Sequence, residues 1–232
     1  MPRRSVLSAA ERESLMAVPK TTDELIRHYM FNEADLSFIN QRRGSANRLG
    51  LAVQLCYLRF PGTILGVDET PFPALLKLAA DQLGMSVDSW SDYGRREQTR
   101  REHLVELQKW LRLSSFGLAE HRRSVSQLAE MALQSDRGIV LAEAFVEMLR
   151  QQRIILPAID VIERVCSEAL TLGTRRVYEA LTAALSDHHR CALDGLLEIR
   201  EGTKSSGLIW LRQPPGPPKP KHILAHLERL KI

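Results

Sequence analysis

Arg42-Arg43-Gly44-Ser45-Ala46-Asn47-Arg48-Leu49-Gly50-Leu51-Ala52-Val53-Gln54-Leu55-Cys56-Tyr57-Leu58-Arg59-Phe60-Pro61-Gly62 is the most informative run of the chain. Gly44 closes one helical pattern and Ser45 opens the next. The apolar positions from Leu49 to Leu58 are too dense for a one-sided stripe, so the spacing predicts a helix over about 46–59, buried on most sides and stopped by Pro61-Gly62. Asn32 caps a preceding helix over 33–42. Two helices joined by a tight turn give the outline of a helix-turn-helix unit. Only the N-terminal end of the second helix is left to face outward. Its macrodipole, free N–H groups and the guanidinium groups of Arg42, Arg43 and Arg48 suit a phosphate. Asn47 and Arg48 are the residue types that read adenine and guanine edges, and Gln54, two turns on, extends the same polar strip. The competing reading pairs these arginines with Glu33 and Asp35 or leaves them on a solvated face.

Outward from this run the pattern stays helical. Ser8 with Glu11 and Thr21 with Glu24 fit capping boxes for helices near 9–17 and 22–30. Thr70-Pro71 starts a helix that Gly84 ends, with Leu75, Leu76, Ala79, Ala80 and Leu83 at helical spacing. Residues 62–70 read as a loop and 86–94 as a break between domains. Thr99 with Glu102 fits another capping box for a helix over 100–113, with Leu104, Leu107, Trp110 and Leu111 on one side. Helices near 118–134, 137–153, 157–171, 174–187 and 189–200 follow, with Gly173 separating two of them. Gly207 to Leu211 reads as a short strand or an extended docking segment, Pro214 to Pro220 as a stiff linker, and 221–231 as a last amphipathic helix. The expected fold class is all-α: helix-turn-helix-like modules over 1–88 and 89–212, then a Pro-rich linker and trailing helix over 213–232.

Composition agrees. In 232 residues, 44% are hydrophobic and 26% charged, which supports a packed core and excludes a disordered chain. No apolar run is long enough for a membrane helix, and the N-terminus lacks an apolar signal segment. The 3 cysteines, Cys56, Cys166 and Cys191, all fall inside helical patterns, so a reducing cytoplasm is the expected compartment.

The net charge of +4 is modest, but it is unevenly spread. Residues 1–60 balance at +3, 91–125 at +3 and 201–232 at +4, with acidic blocks between them. The second basic block holds Tyr93-Gly94-Arg95-Arg96-Glu97-Gln98-Thr99-Arg100-Arg101-Glu102-His103, four arginines around an expected helix start. Glu97 and Glu102 are competing intrahelical partners there. Two such clusters, one in each half, point to a bipartite nucleic-acid binder. Lys219, Lys221 and His222 make a third patch, and Arg122-Arg123 and Arg175-Arg176 are weaker candidates.

Catalytic constellations are missing from the sequence. It has no phosphate-binding glycine loop and no dinucleotide fingerprint. His188 and Cys191 share a helix face, but two ligands without a partner pair make a poor zinc site. Glu143, Glu147, Glu163 and Glu168 lie among Arg and Lys on helices, not at strand ends where a metal-dependent nuclease gathers its carboxylates. Neither a metal nor a cofactor is expected.

The opening Met1-Pro2-Arg3-Arg4-Ser5-Val6-Leu7-Ser8, then Gln41-Arg42-Arg43-Gly44, Asn47-Arg48-Leu49-Gly50 and Gln54 to Gly62, then Arg96 to Leu104 and His222 to Leu230, together resemble the N-terminal region of the Tn-three family of bacterial replicative transposases. The resemblance covers essentially the whole chain. It implies a helical region that recognises the terminal inverted repeats of a transposon through successive DNA-binding modules. The residues it carries over are Arg42, Arg43, Asn47, Arg48 and Arg59 in the first module and Arg95, Arg96, Arg100 and Arg101 in the second. Double-stranded DNA at transposon ends is the implied partner, with a full-length transposase as a second. The family's catalytic domain, with its DDE triad and Mg²⁺, is expected to lie outside this chain, which alone is then not an enzyme. The alternative is a helical protein-interaction module, or a truncated product that interferes with a full-length transposase.

Overall fold

The computed structural model describes residues 6–67, 69–93, 97–199, 204–214, 216–217 and 219–229. Among them are twelve α-helices, one 3-10 helix and no sheet, so the all-α class is borne out. The helices are α1 (Ala9–Leu15), α2 (Thr22–Tyr29), α3 (Glu33–Asn40), α4 (Ser45–Arg59), α5 (Pro73–Leu83), α6 (Glu97–Leu111), α7 (Leu118–Met131), α8 (Gly138–Gln151), α9 (Ile159–Thr182), α10 (Asp187–Gly195), α11 (Gly207–Arg212) and α12 (Pro220–Arg229). The 3-10 helix is Val87–Asp92. The chain divides into two compact units, Met1–Arg175 and Arg176–Ile232.

The first unit holds two hydrophobic clusters. One surrounds α4, in which every residue from Leu49 to Leu58 is buried, as the density of apolar residues predicted. Leu25 and Tyr29 of α2, Ile39 of α3, Leu75 and Ala79 of α5 and Leu107 of α6 close around it. Ser8, Thr21 and Asn32 cap their helices through side-chain oxygens, and Ser8 and Asn32 complete full capping boxes. Gly50 lets the 3-10 segment approach α4: a Cβ there would sit 2.0 Å from the Tyr93 ring.

The second cluster joins Leu128 of α7, Leu141, Phe145 and Leu149 of α8, and Ile162, Val165 and Ala169 of α9, with Leu7 from the N-terminus. Backbone bonds sew the two clusters together. Ser114 N–H donates to Arg153 O (2.9 Å), Ile155 N–H to Ser114 O (2.9 Å) and Leu156 N–H to Gly62 O (2.9 Å). Arg150 donates twice to Pro61 O (3.1 and 2.9 Å) and lies 4.9 Å over the Phe60 ring.

Several sequence expectations are corrected. Gly173 does not interrupt a helix. It is a buried interior position of α9, and a Cβ there would come within 3.0 Å of Ala132 Cβ and 3.1 Å of Ala129 O, so the glycine serves close helix packing. Thr99 does not cap α6, because the helix already includes Glu97. The break expected over 86–94 contains the 3-10 helix, started by Ser86, whose hydroxyl accepts from Asp88 N–H.

In the second unit, Ser186 caps α10 by accepting from His189 N–H (3.3 Å). Residues 207–211 are helical and not extended: Ser206 caps α11, and Gly207 packs its bare Cα against Leu196, where a Cβ would meet Leu196 O at 3.3 Å.

Candidate nucleic-acid interface

The turn between α3 and α4 is built from its own polar residues. Arg42 N–H donates to Ile39 O (3.1 Å), and Gly44 takes φ +83°, a conformation that favours glycine. No side chain caps α4. Asn47 Nδ2 donates to Arg43 O (3.0 Å) and Arg48 Nε to Arg42 O (2.8 Å), so both side chains brace the turn from the first helical residues. Arg43 is exposed, while Asn47 and Arg48 are half-buried. These three form one outward cluster at an uncapped helix start, where backbone N–H groups and the positive end of the dipole add to the guanidinium charge.

Arg42 sits beside this cluster but is engaged inward. Its Nη2 lies 2.8 Å from Glu106 Oε2 on α6, and its guanidinium lies 5.2 Å from the Phe38 ring centroid. Phe38 in turn stacks on Trp110 at 4.6 Å. Arg59, at the far end of α4, pairs with the buried Asp35. Asp35 is also the capping-box acid of α3, accepting from Asn32 N–H (3.0 Å). Arg59 therefore ties α3 to the end of α4 and is not part of the outward cluster.

The second arginine cluster is used differently. Arg100 is only 7% exposed and donates to Leu65 O (2.9 Å) and Gly66 O (2.7 Å), with its guanidinium 5.3 Å from the Tyr93 ring centroid. Gln54 reaches the same loop. It is fully buried, donates to Leu65 O (3.0 Å) and accepts from Leu65 N–H (3.3 Å). Gln54 is thus a clamp for the 62–66 loop, not an extension of an outward strip. Tyr93 shares a hydrogen bond with His103 Nδ1 (3.2 Å); burial pushes the Tyr93 phenol up to about 12 and, with nearby Arg42, holds the His103 imidazolium below its usual range. Arg101 is exposed and pairs with Glu97 one turn away (2.7 Å). Arg95 and Arg96 lie outside the described residues.

Sequence reasoning missed Gly50, the Phe38–Trp110 stack and the clamp at Leu65. A lone glutamine and a lone glycine inside an apolar helix were the available signals. Among the described residues, no three His, Cys, Asp or Glu side chains converge as metal ligands, and no helix is long and apolar enough to cross a membrane.

The helical body and its arginine-bearing turn between α3 and α4 invite comparison with known proteins. Residues 6–169 match the profile described as Domain of unknown function (DUF4158). The chain belongs to the DUF4158 family. It is 62% identical over 231 residues to the transposase for transposon Tn3926 of Escherichia coli, covering 100% of this chain and 23% of that protein. It is 53% identical over 232 residues to the transposase for transposon Tn501 of Pseudomonas aeruginosa, covering 100% of this chain and 23% of that one. With the transposase for transposon Tn1546 of Enterococcus faecium it shares 31% identity, covering 98% of this chain and 23% of the relative. The resemblance to Tn-three family transposases is borne out, and the chain spans about 23% of the length of the curated relatives it matches.

Proposed function

We propose that this chain binds the terminal inverted-repeat DNA of a transposon, in a sequence-specific way, as the recognition part of a transposase. The observation that carries the reading is the outward cluster of Arg43, Asn47 and Arg48 at the uncapped start of α4. A buried helix with an exposed N-terminus offers a groove-sized probe on a rigid base, with Arg43 and the terminal nitrogens of Arg48 as cations for phosphates or base edges. Relatives 62% and 53% identical over the whole chain are the transposases for transposons Tn3926 and Tn501. In this reading the strand-transfer chemistry belongs to parts of the transposase beyond this chain.

The test is a gel shift with a duplex of the transposon's terminal inverted repeat against a scrambled duplex of equal length. Tighter binding to the repeat is expected, with affinity falling by about 0.9 log unit per log unit of salt for each neutralised phosphate. The same chain with Mg²⁺ should neither nick nor join DNA. Equal affinity for both duplexes contradicts sequence-specific recognition.

A second reading, a contact with a full-length transposase, is favoured by one observation. In the second unit Leu193 of α10 and Leu197 and Ile199 just beyond its end are 50%, 62% and 71% exposed, an apolar surface open to a partner. Reduced transposition when this chain is co-expressed with the full-length enzyme, and no reduction by a Leu193→Ser/Leu197→Ser variant that still binds DNA, would support it.

A further inference from the structure

Three helices of the first unit stop in the same way. After α5, α6 and α8 the chain turns through a residue at positive φ, and the next amide donates back to a carbonyl five residues earlier: Met85 N–H to Ala80 O (3.0 Å), Leu113 N–H to Gln108 O (2.8 Å) and Ile154 N–H to Leu149 O (2.9 Å). At α5 the turning residue is Gly84 (φ +62°), the residue this geometry favours. At α6 and α8 it is Arg112 (φ +54°) and Arg153 (φ +56°), the two non-glycine residues at positive φ among those described. A side chain at such a position strains the backbone, and arginine is not one of the types that tolerate it best.

The two arginines are also neighbours. The parallel bridge between Ser114 and Ile154 lays the chain after α6 beside the chain after α8, with Ser114 N–H on Arg153 O itself. Both residues are exposed. Among the described residues neither guanidinium makes an ion pair or a side-chain hydrogen bond. The negative end of a helix dipole accounts for a cation at each helix end. It does not account for two exposed arginines on adjacent backbone segments, at positions that glycine would occupy without strain.

We propose that Arg112 and Arg153 form a paired contact to the phosphate backbone of the same duplex that the α4 turn engages. The inference rests on the DNA-binding reading. Arg42 of the turn is fixed to Glu106, and α6 carries the chain from Glu106 to Leu111, the residue before Arg112, over about 8 Å of helical rise. That is comparable with the major-groove width of about 12 Å, the separation that lets one element enter the groove while another holds the flanking backbone.

The experiment is fluorescence anisotropy over a salt series with terminal inverted-repeat and scrambled duplexes, comparing the parent chain with an Arg112→Gly/Arg153→Gly variant. Glycine relieves the strain, so the variant should melt at the same or a higher temperature. Its log affinity should fall less steeply with log salt, by about 1.8 for two lost phosphate contacts, and the loss should be equal on both duplexes because phosphates carry no sequence information. If glycine at these positions unfolds the chain, Asn at both, which also tolerates the left-handed region, gives the same readout. An unchanged slope while the parent binds the repeat overturns the pair alone. A loss confined to the repeat also overturns it, since that marks a base contact. A parent chain that binds neither duplex overturns the pair together with the DNA-binding reading.

Discussion

The turn between α3 and α4 and the first half of α6 carry arginines at similar density, and the fold puts them to opposite uses. At the turn, Arg43 is exposed and the half-buried Arg48 holds the local backbone through Nε. On α6, Arg100 is buried and its charge is shared by two loop carbonyls that Gln54 also holds. The difference follows from what each segment packs against. The turn precedes a helix whose apolar run starts only at Leu49, so Arg43 and Gly44 stay exposed. Arg100 is followed by His103 and Leu107, which face the first core, and the guanidinium lies on that same side. Charge density along a chain therefore marks a candidate surface, and the periodicity around it decides which arginines reach water.

Substitutions can break this comparison, and the largest effect belongs to the core they share. Gly50→Ala drives a methyl into the Tyr93 ring and should destabilise the first unit by about 3 kcal/mol, read by urea denaturation. A loss under about 0.5 kcal/mol would show that the 3-10 segment does not pack on α4 as described.

Arg100→Ala should cost about 2 kcal/mol of stability, because the buried Leu65 O and the part-buried Gly66 O each lose a charge-assisted donor. The folded variant should keep its DNA affinity. Arg43→Ala is the mirror image: stability within about 0.5 kcal/mol of the parent, and binding to the inverted repeat weaker by about 1–3 kcal/mol if Arg43 meets a base, less if it meets a phosphate. Swapped outcomes would mean that the two clusters have been assigned the wrong way round.

Acid sharpens the same contrast more weakly. His103 titrates below its ordinary value of 6.5 because its site disfavours the charged ring. Below that pH the unfolded chain binds the proton more readily than the folded one, so stability is constant above it and declines as pH falls through and beneath it. A His103→Gln variant should show a flatter profile over that window, measured by thermal melts from pH 7.5 downward. The smallest effect belongs to Arg101→Ala. Its exposed pair with Glu97 is worth about 0.3–0.5 kcal/mol, so melting should barely move.

Much of this architecture was legible beforehand. Ser8, Thr21 and Asn32 announced helix starts because a side-chain oxygen three residues before a matching acid satisfies orphan N–H groups whatever the tertiary context. The run Leu49 to Leu58 announced a buried helix because its apolar residues fall on every side, although Gln54, read as outward, is buried against Leu65 as well. Local signals misled where tertiary contact decided. Gly173 looks like a stop, yet it is the point where α9 touches α7, and sequence does not distinguish a glycine needed for φ from one needed for space. Gly207 to Leu211 looks like a strand because it is short and apolar, and the cap at Ser206 tips it to a helix. The candidate site divided along the same line. Arg43, Asn47 and Arg48 were readable from a helix start, whereas the inward use of Arg42, Arg59 and Arg100 depended on Glu106, Asp35 and the Leu65 carbonyl, none of them near in sequence.

The claim beneath all of this is that the α4 turn grips a duplex. Fluorescence anisotropy of an Arg43→Ala/Arg48→Ala variant on inverted-repeat DNA addresses it most directly. The parent should bind with a steep salt dependence, and the variant should bind at least tenfold more weakly with a shallower slope and a melting temperature within a few degrees. A variant that matches the parent in affinity and slope would contradict the account.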